Sequence, residues 1–171
     1  MSTDSRRLGG AMIAAAWILF LGLLTLYFQD RLAERDNPNR DPQGRVVEGG
    51  IREVVLVRNR WGHYVASGAI DGHPVTFLLD TGATDVSIPQ SLADRIGLER
   101  GRAYPVTTAN GTIRVWSTRI ATLELGAIRL HNVRASIRPG QEGEEVLLGM
   151  SALGGLELIQ KRGRLTLRQH P

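Results

Sequence analysis

Phe77-Leu78-Leu79-Asp80-Thr81-Gly82-Ala83-Thr84 places one carboxylate directly after a fully apolar run and follows it with a turn of small residues. An unbroken apolar run of this length, closed by turn residues, reads as a buried strand ending in a tight loop. On its amino-terminal side, residues 64–70 and 74–79 are strand-like and meet through Asp71, Gly72 and His73, where Asp-Gly signals a hairpin. On its carboxyl-terminal side, residues 89–96 set Leu92 and Ile96 one helical turn apart, with Gly97 directly after as a left-handed cap. Residues 104–108 and 112–118 then flank Ala109, Asn110 and Gly111, and Asn-Gly suits a tight turn with positive φ at both central positions. Short apolar runs at 53–57, 120–125, 128–137, 146–148, 156–159 and 165–167 complete a series of strands punctuated by Gly, Pro and charged residues. The fold class predicted is all-β: a small closed β-barrel with one or two short helices.

Composition agrees with that reading and narrows the chemistry. Twenty glycines and 5% aromatic residues in 171 favour short strands and many turns, and the length suits one domain with an appendage. The formal charge of +4 comes from twenty Arg and one Lys scattered among acidic residues, so no basic run marks a nucleic-acid partner. The absence of Cys excludes disulfides, thiolate metal sites and cysteine nucleophiles. His63, His73, His131 and His170 stand apart without companions at ligand spacing, so neither a metal nor another cofactor is expected. No serine lies in a Gly-x-Ser-x-Gly elbow. Trp61 and Trp116 read as packing or barrel-rim residues.

The amino terminus reads differently. Residues 8–28, LGGAMIAAAWILFLGLLTLYF, contain no charge over 21 positions, about 31 Å as a helix and enough to cross a bilayer core. No small residues alternate at its end as a cleavage site would require, so retention as an anchor is expected. The predicted organisation is a short tail at 1–7, a transmembrane anchor at 8–28, a flexible Pro- and Gly-rich tether at 29–50 and one functional domain at 51–171. A single-pass inner-membrane protein follows, with its domain facing the periplasm or exterior.

An aspartate at the end of an apolar strand is costly to ionise, and a second carboxylate about 3 Å away would leave the pair sharing one proton. Such a pair is both base and acid: one member takes a proton from an attacking water, the other donates to a peptide carbonyl oxygen. Three separated motifs resemble those of the retropepsin-like aspartic proteases, specifically the single-domain, membrane-anchored bacterial type. They are Leu79-Asp80-Thr81-Gly82-Ala83-Thr84, the hairpin around Thr108-Ala109-Asn110-Gly111-Thr112, and Val146-Leu147-Leu148-Gly149-Met150.

The resemblance implies a catalytic Asp80 supported by Thr81, Gly82, Ala83 and Thr84. It implies a flap at Ala109, Asn110 and Gly111, and a strand with Leu148 and Gly149 threaded behind the catalytic loop. It also implies a homodimer, because one Asp-Thr-Gly loop per chain supplies half a dyad, with strands 53–57 and 164–168 intertwined at the interface. The activity implied is endopeptidase cleavage of peptide or protein substrates. Retroviral members place an acidic residue after the loop alanine and pair it with an Arg after the late Gly. Here Thr84 and Met150 occupy those places, and Asp85 reads as a solvated turn residue. A tethered binding or assembly module of the same fold, cleaving nothing, is the alternative function.

Overall fold

The computed structural model describes residues 3–108, 111–140 and 143–171, and the chain divides into two compact units, Met1–Arg35 and Asp36–Pro171. The first is essentially one helix, α1 (Thr3–Asp36), with a stretch long and apolar enough to cross a membrane or serve as a signal sequence. Its large apolar side chains from Met12 to Phe28 are exposed.

The second unit is mostly β, as expected. Beyond β1 (Gly44–Val46), β2 (Arg52–Val57) leads to the hairpin of β3 (Val65–Ile70) and β4 (His73–Leu79). Its turn has Asp71 at φ 49° and Gly72 at φ 79°, the double positive φ that Asp-Gly signalled. Next come β5 (Val86–Pro89) and α2 (Gln90–Arg95), which ends before Gly97 at φ 73°. β6 (Ala103–Thr108) and β7 (Gly111–Leu125) form the second hairpin, followed by β8 (Ile128–Arg138), β9 (Glu145–Leu148) and α3 (Met150–Leu153). The chain closes with β10 (Glu157–Lys161) and β11 (Arg164–Gln169).

Seven strands lie in the order β3-β4-β9-β5-β8-β7-β6, and an extra β3–β7 pairing closes the sheet into a barrel. Phe77, Ile88, Ile120, Leu123, Ile137 and Leu148 fill its interior, each at or below 1% exposure. The parallel β4–β9 pair, running from Thr76 opposite Glu145 to Leu79 opposite Leu148, brings two distant segments side by side at the end of β4.

A four-stranded sheet, β1-β2-β11-β10, packs Val54, Leu56, Leu165 and Leu167 into the same core. Two expectations change here. Strands 53–57 and 164–168, expected to intertwine between subunits, pair with each other within one chain, and each has a further neighbour on its other side. The sheet has therefore taken up within one chain the backbone groups that an intertwined interface would use. Residues 29–50 do not form a free tether: α1 runs to Asp36, and residues 37–46 lie against the β unit. Asn39, 6% exposed, is the pin. Its amide donates to the Val57 and Val65 carbonyls at 2.9 and 2.7 Å and accepts from the Val57 N–H at 2.8 Å, taking the place of a neighbouring strand.

Candidate active site

Asp80 stands where β4 leaves the barrel, half-buried, its backbone N–H donating to the Leu148 carbonyl at 3.1 Å. Its carboxylate accepts the Gly82 N–H at 2.9 Å, and the Ala83 N–H donates to the Asp80 carbonyl at 3.2 Å, so the turn folds back on the acid. Thr81, Gly82 and Thr84 are exposed and Ala83 is half-buried. The loop thus presents Asp80 and Thr81 outward while its backbone is tied down behind.

The segment after β9 does the tying. The Met150 N–H donates to the Ala83 carbonyl at 2.8 Å and the Ser151 N–H to the Thr84 carbonyl at 2.9 Å. The Ser151 hydroxyl accepts from the Val86 N–H at 2.9 Å and donates to the Arg134 carbonyl at 2.7 Å. Gly149 permits this contact: a Cβ there would lie 2.3 Å from the Asp85 carbonyl oxygen and 2.7 Å from that of Ala83. The structure therefore brings Asp80, Thr81, Gly82, Ala83 and Thr84 together with Leu148 and Gly149. Of the residues expected at the flap, Gly111 begins β7 at φ 109°, whereas Ala109 and Asn110 lie outside the described residues.

Asp85 departs from its expected role as a solvated turn residue. Its side chain is only 16% exposed and accepts the Arg134 Nε–H at 2.6 Å and the Tyr104 hydroxyl at 3.2 Å. Burial, then the adjacent Asp85 carboxylate, push the Tyr104 hydroxyl above its ordinary value, so it remains a donor through the neutral range. Tyr104 belongs to β6, the first strand of the β6–β7 hairpin, and Asp85 follows the catalytic-type loop by one residue. This cluster links the segment after the Asp80 loop to β6 and β8. Sequence reading had no signal for it, since Arg134 lies 49 positions from Asp85.

A closed β-barrel with an Asp-Thr-Gly loop at a strand end and a hairpin following it in the chain is the architecture of the retropepsin-like aspartic proteases. A family model described as "gag-polyprotein putative aspartyl protease" matches residues 66–155, and the chain belongs to that family. The unit is similar to a retropepsin-like aspartic protease from Rickettsia conorii, with a TM-score of 0.59 and 26% identity, covering 70% of this chain and 92% of that one. The chain is also 32% identical over 116 residues to an uncharacterized Sinorhizobium protein of the cobV 5' region, covering 66% of this chain and 50% of that protein. A Rickettsia prowazekii protein, likewise uncharacterized, is 26% identical over 106 residues, covering 60% of this chain and 45% of its own length. The chain thus spans about half the length of the curated relatives it matches.

Proposed function

We propose that the chain is an aspartic endopeptidase in which Asp80 from each of two identical copies forms one catalytic dyad. The observation that carries this reading is the loop itself: an acid at the mouth of a closed barrel, with a free carboxylate edge and a backbone fixed by Leu148, Met150 and Ser151. Each chain brings one such loop, and a two-fold axis supplies the second from an identical surface. Two carboxylates held that close share a proton; the ionised one activates water and the protonated one donates to the scissile carbonyl, with no covalent enzyme intermediate. Thr81, exposed beside Asp80, is the residue assigned to bond across the two loops.

The hairpin of β6 and β7 is assigned as a flap over an extended peptide whose backbone it bonds like an added strand, and Ala109, Asn110 and Gly111 are assigned as its substrate-binding residues. Residues 8–28 are assigned as an inner-membrane span, with the β unit on the periplasmic or outer side. The full chain in detergent, given a diverse peptide library, should cleave with an optimum at mildly acidic pH. Asp80→Asn should abolish cleavage while leaving the circular dichroism spectrum unchanged. Equal cleavage by the variant would remove Asp80 from the chemistry, and no cleavage by a folded, dimeric wild type would favour a binding module of the same fold.

A further inference from the structure

One end of the Asp36–Pro171 unit combines exposed cations with an exposed tryptophan. The β2–β3 loop brings Arg58, Arg60 and Trp61, and the β10–β11 turn brings Lys161, Arg162 and Arg164. The two are joined through the backbone, since the Arg58 N–H donates to the Gly163 carbonyl at 3.1 Å and Val57 faces Arg164 in the sheet. Trp61 is 65% exposed, with the Arg60 guanidinium 4.5 Å from its ring centroid. Lys161, Arg162 and Arg164 are exposed, and their side chains have no ion-pair partner among the described residues. Two stretches far apart in the sequence are thus joined by the fold.

The chain enters the unit at the same place. Asn59 donates to the Asp36 carbonyl at 3.1 Å, and Arg60 pairs with the Asp36 carboxylate at 3.2 Å. Asp36 ends α1, so only about 12 Å of helix separates it from Phe28, the last residue of the apolar run. An amphipathic indole and unpaired Lys and Arg side chains are the groups that settle among phospholipid headgroups, the ring at the interface and the cations on anionic phosphates.

We propose that this end of the β unit docks on the anionic headgroups of the bilayer, with Trp61 at the interface and Lys161, Arg162 and Arg164 on the phosphates. The inference rests on residues 8–28 as a membrane span and not on proteolysis. Docking also sets an orientation: the Leu79 N–H bonds the Tyr64 carbonyl at 3.0 Å, so Asp80 leaves the barrel at the end that carries the 58–64 loop.

The test places the full chain in nanodiscs of zwitterionic lipid or of zwitterionic lipid mixed with phosphatidylglycerol, each with and without brominated acyl chains. Tryptophan emission is compared between wild type and Trp61→Phe, so that the difference reports Trp61 alone. Expected is quenching of the Trp61 component in brominated anionic discs, lost in zwitterionic discs, lost at about 1 M salt where screening is nearly complete, and lost in the exposed double variant Arg162→Glu/Arg164→Glu. A Trp61 component equally bright in brominated and plain anionic discs would overturn the proposal. So would quenching indifferent to lipid charge, salt and the double variant. Trp17 is the control for insertion: if it escapes quenching in every disc, the span reading fails and the proposal with it.

Discussion

The loop after β4 and the β6–β7 hairpin, joined through Asp85 and Tyr104, are built by different means. The catalytic-type loop at 80–85 is held by backbone bonds to residues 148–151 and by a glycine with no room for a Cβ. The β6–β7 hairpin is held by its own strand ladder, from Ala103 opposite Trp116 to Thr108 opposite Gly111, and most of its described residues between 105 and 114 are exposed. One side is fixed by steric necessity; the other is the more exposed. Motion belongs to the element with fewer buried contacts, so the same size of side-chain change should cost global stability at the loop and only local stability at the hairpin.

Gly149→Ala should have the largest effect. Its new methyl collides with the Ala83 and Asp85 carbonyls, so a loss of about 3 kcal/mol is expected, seen as a fall in Tm with loss of activity. A Tm unchanged by this variant would mean that the loop is not fixed as described.

Asp85→Asn comes next, because it weakens the link between the two sides. A loss of about 2 kcal/mol is expected from exchanging a charge-assisted pair with Arg134 for a neutral one. Peptide KM should rise more than kcat falls if the cluster sets the hairpin's position, whereas a purely structural role would lower Tm and leave both kinetic constants alone.

Glu53 sharpens the comparison from a region that touches neither side. Its side chain is 2% exposed and bonds Arg168 at 2.7 Å and Arg45, which together hold its carboxyl below the usual glutamate range. A lowered folded-state pKa gives stability that is present above the unfolded value and lost as pH falls through the folded one. Glu53→Gln should therefore lose about 1.5 kcal/mol at neutral pH, with wild type and variant converging in acid; a pH-independent difference would refute that cause.

The smallest change is expected for Gly111→Ala. At φ 109° a side chain is strained, so about 1 kcal/mol of hairpin stability should be lost, read as faster amide exchange in β6 and β7 with little change in Tm.

These regions also differ in how far the sequence discloses them. The loop was legible because its signal is local: an apolar run, an acid, a small-residue turn. Asp71-Gly72 and Gly97 were legible for the same reason, since the φ of one residue or of two adjacent residues decides each turn. The Asp85 cluster was not, because its partners come from β6 and β8 and only the barrel brings them together.

Residues 112–118 and 120–125 read as two strands because Arg119 interrupts the apolar pattern. They form a single strand whose buried positions fall at Val115, Thr118, Ile120, Leu123 and Leu125, a broken alternation that a curled strand produces. Composition likewise concealed the attachment of residues 37–46: a polar, Pro-rich stretch reads as flexible, yet Asn39 is buried because its amide bonds replace a strand. The basic end of the unit was hidden because its two short basic stretches, 58–61 and 161–164, lie far apart in the sequence and only the β2–β11 pairing joins them.

The most direct test of the shared dyad mixes wild-type chains with Asp80→Asn chains at constant total protein and follows peptide cleavage. If two chains supply one site, activity falls as the square of the wild-type fraction, to about one quarter of full activity in an equal mixture with random pairing. A linear fall, to about one half at the same mixture, would show that each chain works alone and would contradict the dyad.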